Sequence, residues 1–205
     1  SFTASLMRDL VILPAAVFGA QSVADFAHRK LVALSADNEA VHPDIHKAIL
    51  QVGAFRGGVK EFDWLLTRFR QSESEHERLN ILAALGSFRE RAQIEDALQF
   101  ALDEVPDRNK FIPIVAMAGN TYAVHLMWDW YQVYREKLEE FHPLLYERVI
   151  APILPMVDTQ QAEEAKSFAN DYMQERPQVR DVLRLTLEKL DINLRFRKAH
   201  LTMRS

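Results

Sequence analysis

Large apolar residues recur along this chain at intervals of three and four, between short polar segments that hold Gly, Pro, Ser or Asn. That is the pattern of successive amphipathic helices. Leu6, Leu10, Leu13 and Val17 form a first stripe, broken at Pro14; Val23, Phe26, Ala27 and Leu31, with Leu34, form a second. Pro43 stands where a helix tolerates proline best, in the first turn, and Ile45, Ile49, Val52 and Phe55 follow down one face until Gly57-Gly58 end the element. Val59, Phe62, Leu65, Leu66 and Phe69 carry the next helix, with Trp64 beside the stripe. Ser74 and Glu77 have capping-box spacing ahead of Leu79, Leu82, Ala83 and Leu85. Ile94, Ala97, Leu98 and Ala101 predict one more helix before the turn through Pro106. The stretch from Pro106 to Phe141 holds two helical patterns that meet at Gly119-Asn120-Thr121. In the second of them Asp129, Gln132, Glu136, Glu139 and Glu140 fall on one face, which reads as solvated. Leu126, Met127, Trp128, Trp130, Tyr131, Val133, Tyr134 and Leu138 wrap most of the rest, a pattern that predicts a helix sandwiched between neighbours on both sides. Leu144 to Val157, punctuated by Pro152 and Pro155, comes next, then Ala162, Ala165, Phe168, Ala169 and Tyr172. A last helix from about Pro177 holds Val179, Leu183, Leu187, Leu190 and Leu194 and ends in Arg195, Arg197 and Lys198.

No run of residues alternates in hydrophobicity with β-branched bias, so the expected fold class is all-α. The helices, taken two at a time, repeat at roughly 35–45 residues, the period of helical-hairpin solenoids. The expectation is an α-α superhelix of stacked antiparallel helical hairpins, HEAT- or armadillo-like, in one domain over residues 1–205; a compact helical fold is the alternative. With 48% hydrophobic and 26% charged residues the chain can bury a core. A formal charge of −4 and a pI near 6.0 speak against a nucleic-acid surface. Absence of cysteine excludes thiol catalysis, disulfides and thiolate metal sites. The longest apolar run, Leu10 to Ala20, contains Pro14 and falls far short of the roughly 20 residues that span a bilayer, so no membrane span is expected. The expected location is the cytoplasm. A start at Ser1 rather than Met, with no charged leader, suggests a piece of a longer polypeptide.

Few motifs suggest chemistry. His76-Glu77-Arg78-Leu79-Asn80 is one residue from the zinc-peptidase pattern H-E-x-x-H, with Asn80 where the second imidazole would stand. A neutral amide replaces imidazole poorly at zinc, and Glu77 has a structural role as the third residue of the capping box. His42 and His46 are four apart, but His42 precedes Pro43 and no third ligand stands near. Gly57-Gly58 follows no strand and precedes no Gly-Lys-Ser/Thr, so it reads as a helix end and not a phosphate loop. Tyr122 and His125 are candidate groove-lining residues near the central helix. Trp128, Trp130, Tyr131 and Tyr134 read as core at helical spacing. The basic end of the last helix suits a helix C-terminus. No catalytic constellation and no metal site is expected in this chain.

Several of these stretches, in order, resemble the C-terminal, HEAT-like domain of the aminopeptidase N-type zinc peptidases. "VHPDIHKAILQVGAFRGGVKEFDWLLTRF" from Val41 resembles a helix pair of that family, and "EHERLNILAALGSFRE" from Glu75 resembles the helix after it. Asn120, with Leu126 and Trp128 beyond it, resembles the family's "N…LAW.F" helix; "LEKLDINLRFRKAH" resembles the closing helix, with Glu188 and Asn193 in the matching places. The chain departs from the family at Pro106-Asp107-Arg108-Asn109 and at Ala123-Val124. What the resemblance implies is a non-catalytic C-terminal domain of a zinc aminopeptidase. Such a domain covers the active-site chamber and restricts the entry of peptide substrates, with the catalytic domain of the same polypeptide as its partner. The parent's zinc would be held by H-E-x-x-H and a downstream glutamate, with G-x-M-E-N at the substrate amine; none of these is in this chain, which is expected to carry no cofactor. Two other readings remain: a stand-alone helical-repeat scaffold that binds a protein, and a small helical enzyme using His125 with a nearby acid.

Overall fold

Proline, serine and glycine set the boundaries of the helices seen in the computed structural model, which describes residues 11–36, 43–141 and 145–202. Leu6, Leu10, His42 and Leu144 lie outside these residues. The helices are α1 (Val11–Val17), α2 (Gln21–Ser35), α3 (Pro43–Arg56), α4 (Val59–Gln71), α5 (Glu75–Leu85), α6 (Arg91–Asp103), α7 (Phe111–Ala118), α8 (Val124–Phe141), α9 (Leu145–Ile153), α10 (Ala162–Glu175) and α11 (Arg180–Thr202). Short 3-10 turns occupy Asp107–Asn109, Leu154–Met156 and Pro177–Val179, and no strand occurs among the described residues, so the fold class is all-α. Among those residues no single helix is long and apolar enough to cross a membrane.

Pro14 does not break the first stripe as expected. The helix runs on past it to Val17, and the Pro14 carbonyl accepts from the Phe18 N–H at 2.8 Å. At the α3–α4 corner Gly58 is the N-cap, and its N–H donates to Glu61 Oε2 at 2.8 Å. Gly57 is required by close approach: a Cβ there would lie 2.6 Å from the Gly53 carbonyl oxygen.

The chain divides into two compact units, Ser1–Glu104 and Val105–Ser205. In the first, α3 packs on α2, α4 and α5, and α4 on α5. α4 also meets α6, through Phe69 edge-on to Phe100 (ring centroids 5.3 Å) and a two-pronged Arg70–Glu104 pair at 2.6 and 2.8 Å. The core is aliphatic and aromatic, with Ile49, Leu65, Ile81, Leu82, Leu85, Phe88, Ile94 and Leu98 almost without exposure. α5 is buried around its whole circumference from Asn80 to Leu85, which makes it the sandwiched helix of this unit.

In the second unit α7 packs on α8 and α9, α8 on α9, and α11 on α9 and α10. Pairings between α8 and α10 advance together: Gln161 with Asp129, Gln132 with Glu164, Tyr172 and Arg176 with Glu139. The two helices therefore run the same way, and α9 carries the chain back between them. Side-chain bonds between alternate helices join residues 32 to 37 apart in sequence in this unit, as in Gln132–Glu164 and Arg176–Glu139, and 34 apart in the first, as in Asn80–His46. Alternate helices are thus joined, within each unit, across a separation at the short end of the roughly 35–45-residue period read from the sequence. α8 is not sandwiched. Met127, Trp128, Tyr131 and Leu138 are buried, but Trp130 and Tyr134 are half-buried and Val133 is 73% exposed. Its apolar circumference faces packed neighbours on one side only.

Candidate functional site

Asn120 begins the central segment by bonding its own backbone. Its Oδ1 accepts from the Tyr122 N–H at 3.0 Å, and its carbonyl accepts from Ala123 and Val124 at 3.0 and 2.9 Å. This Asx turn starts α8 and explains an asparagine here without a ligand. Tyr122 is half in solvent and Leu126 half-buried. Trp128 is 1% exposed, packed on Tyr131 and Phe168 at 5.9 and 5.5 Å, and its indole N–H is buried with no hydrogen-bond partner among the described residues.

His125 stands one turn before Asp129, with 65% of its side chain exposed, and its Nδ1 lies 3.1 Å from Asp158 Oδ2. Asp158 Oδ1 is held by Arg197 at 3.3 Å. Arg197 also donates to the Met156 and Val157 carbonyls, each at 3.0 Å, and Asn193 Nδ2 donates to the Pro155 carbonyl at 2.8 Å. The chemistry behind this cluster is the end of α9. Pro152 and Pro155 force the helix into a 3-10 turn whose last carbonyls lack helical partners, and α11 supplies the donors. Asn193 and Arg197 therefore cap another helix, a role beyond the dipole effect that the basic sequence suggested. Glu188, paired with Asn193 in the sequence resemblance, lies on the exposed side of α11, and the structure does not bring it to Asn193.

Glu139 departs from the solvated face expected of it. Its side chain is 12% exposed, taken between the Tyr172 hydroxyl and the Arg176 guanidinium, while Glu136 stays in solvent. Burial pushes the Tyr172 hydroxyl far up, with Tyr131 and the Glu139 charge adding to the effect. The hydroxyl stays protonated as a donor.

The near-zinc motif forms a second polar cluster, in the first unit. Ser74 Oγ accepts from the Glu77 N–H at 3.3 Å, which is one half of the capping box. The other half is relayed: the Ser74 N–H donates to Ser72 Oγ at 3.2 Å, and Ser72 donates to Glu77, which also accepts from Arg68 Nε at 2.7 Å. Asn80, 6% exposed, points its Nδ2 at His46 Nδ1 and His76 Nε2, 3.2 and 3.3 Å away. Burial lowers the His46 pKa from its ordinary value; the Glu77 charge opposes this, and His76 and Arg68 reinforce it. Burial alone would raise the Glu77 carboxyl, but hydrogen bonds from Ser72 and Arg68 and the Arg68 charge outweigh it and hold the group below its ordinary range. This donor set does not fit zinc. The carboxylate is committed to Arg68 and Ser72, and Asn80 offers amide N–H where a ligand lone pair is needed. Among the described residues no group of three or more His, Asp or Glu could hold a metal ion.

Two depressions stand out among the described residues, and neither is lined by the groove candidates Tyr122 and His125. One, of about 210 Å³, lies between α2 and α4 over Leu31, Val32 and Trp64, with His28, Lys60 and Glu61 at its rim. The other, of about 260 Å³, lies between α10 and α11. Neither was legible in the periodicity, because each is formed jointly by residues of two separate helices.

The sequence model of the ERAP1-like C-terminal domain matches residues 1–192. Among curated relatives, Aminopeptidase M1 of Arabidopsis thaliana is 25% identical over 203 residues, covering 92% of this chain and 22% of that protein. Probable aminopeptidase 2 of Sulfurisphaera tokodaii is 23% identical over 156 residues, 75% of this chain and 20% of that protein. Aminopeptidase 2 of Candida albicans is 25% identical over 99 residues, 47% of this chain and 11% of its own length. The chain thus spans at most 22% of the length of the relatives it matches.

Proposed function

Because the chain belongs to the ERAP1-like C-terminal domain family, we propose that it is the non-catalytic C-terminal domain of a zinc aminopeptidase, and that it covers the active-site chamber and restricts which peptides enter. The observation that carries this reading is the family match over residues 1–192, joined to relatives named aminopeptidases of which the matching part is at most 22%. The chemistry of the chain supports it. His76 and Glu77 are engaged structurally, and the one histidine–acid pair at α8, His125 with Asp158, is a tie to Arg197. Zinc and peptide hydrolysis then belong to the catalytic domain of the same polypeptide. This domain contributes a surface, with helices paired two by two as in HEAT-like repeats, that excludes by size and charge.

The test is made on the longer polypeptide. The ratio of kcat/KM for a dipeptide-sized substrate to that for a long peptide is measured with residues 1–205 present and deleted. A wall predicts that deletion shifts the ratio toward the long peptide while zinc content stays the same. A soluble, folded deletion enzyme with an unchanged ratio would replace this reading with a scaffold role. A source gene with no H-E-x-x-H outside this chain would do the same.

A further inference from the structure

We propose that the α10–α11 hairpin carries an oxyanion-binding site, formed by Arg180, Arg184, Asn170 and Gln174 around the depression of about 260 Å³ between the two helices. Asn170 and Gln174 stand one turn apart on α10, Arg180 and Arg184 one turn apart on α11, and Met173 completes the lining. Residues four apart on a helix are surface neighbours, so each helix contributes a pair that faces the same space. The polar lining is uniform in kind. It has two guanidinium forks and two carboxamides, and none of the acids near in sequence, Asp171, Glu175, Asp181 or Glu188, takes part in it.

The two guanidiniums differ from five other described arginines of their unit. Arg176 is bound to Glu139 and Arg197 to Asp158; Arg135 lies over the Phe168 ring and Arg148 over the Phe111 ring. Arg195 donates to the Asp191 carbonyl. Arg180 and Arg184 have neither an ion pair nor a hydrogen-bond partner among the described residues. In a chain of net charge −4 with carboxylates on both helices, two such cations around one concavity form a site poised for an anion.

Guanidinium forks match the planar, paired acceptors of carboxylate and phosphate, and a carboxamide NH₂ donates to the same oxygens. A cation would find no carboxylate in the lining. A volume many times the roughly 30 Å³ of one water admits an oxyanion that carries a short organic body. The ligand class is therefore a small carboxylic acid or a phosphate monoester, recognised through the oxyanion that both share.

The experiment titrates the full chain with succinate and, separately, with inorganic phosphate at fixed ionic strength, following the Arg Nε–H and carboxamide NH₂ resonances by NMR. Saturable shifts confined to Arg180, Arg184, Asn170 and Gln174 are expected with at least one probe, and the tighter probe identifies the source of the oxyanion. Arg180→Gln and Arg184→Gln should each weaken binding about tenfold, the scale of one lost charged hydrogen bond, with the melting temperature unchanged because both side chains are exposed. The proposal is overturned if neither probe gives a saturable shift. Equal shifts at Arg29, far along the chain on α2, or unchanged binding in the double variant, would overturn it as well.

Discussion

Two tryptophans two positions apart show how little a residue's type says about its burden. Trp128 is 1% exposed inside a ring cluster with Tyr131, Phe168 and Tyr172, whereas Trp130 is half-buried and leans on Tyr134, one turn on, at 5.6 Å. Both satisfy the sequence rule that aromatics at helical spacing are core, and only the packing separates them. Trp128→Ala should cost about 3–5 kcal/mol in urea unfolding, as a large-to-small core change, and Trp130→Ala about 1 kcal/mol, as the loss of a partly exposed ring contact. Equal losses would show that α8 is buried on both sides after all. Trp128→Phe should cost much less than the alanine change, since it also removes an indole N–H that lacks a partner. His46 and Glu77 set a pH dependence. A lowered histidine pKa means the folded state holds fewer protons than the unfolded one, so this contribution is complete above about 6.5 and is lost as pH falls from there toward the folded value. Glu77 acts at lower pH. Its lowered pKa stabilises above the ordinary carboxyl value of 4.5 and is lost as pH falls through the folded one. His46→Gln keeps an acceptor for Asn80 and should flatten the decline in urea midpoint as pH falls below about 6.5, leaving the loss below about 4.5 in place. An unchanged slope in the upper range would remove His46 from the account.

Helices were legible where a proline, a capping serine or a periodic stripe marks them, as at Pro43, Ser74 and the Phe62–Leu65–Phe69 stripe, because those signals act within one turn. Which helix lies in the middle was not legible. α8 has the larger apolar residues and the sequence made it the sandwiched one, yet α5 is buried all round with Ile81, Leu82, Ala83, Ala84 and Leu85 in succession. Small aliphatic residues let neighbours close on every side, and large aromatics fill one side and leave the other outward. The helix ends show the same limit. Pro152 and Pro155 announce a break, but the donors that satisfy the freed carbonyls come from Asn193 and Arg197, 38 to 41 residues later. Arg197→Met should therefore loosen the segment between α9 and α10, cost about 1–3 kcal/mol for the carbonyls left uncapped, and speed amide exchange there. Arg197→Lys should recover only part, since a point-like ammonium lacks the fork that spans two carbonyls. Full recovery by lysine would make the Asp158 charge, and not the capping, the contribution that counts.

At the scale of the chain, an all-α class followed from periodicity alone, whereas the roughly 35–45-residue period was read without a consensus. The reason is physical. Stacked helical pairs require only that each present an apolar stripe to the next, which many residue combinations satisfy. The resemblance through Asn120, Leu126, Trp128 and Asn193 pointed to the family, and the structure shows a local role for three of them: Asn120 starts α8, Trp128 fills its core and Asn193 caps α9. Arg180 and Arg184, on an outward face, belong to none of the stretches that carry the resemblance. The division at Glu104 and Val105 was likewise not visible in a continuous series of stripes. Each unit has a set of residues without measurable exposure, Ile49, Ile81, Leu82, Leu85 and Phe88 in the first and Ile114, Met127, Val149, Ile150, Leu154 and Leu183 in the second. Roughly 100 residues is enough chain for an autonomous core. Residues 1–104 and 105–205, expressed separately, should therefore each give a helical circular-dichroism spectrum and a cooperative thermal transition. The sum of the two spectra should reproduce that of the intact chain. A fragment that shows only coil signal would mean its core depends on the other half, and the two units would then be one folding domain.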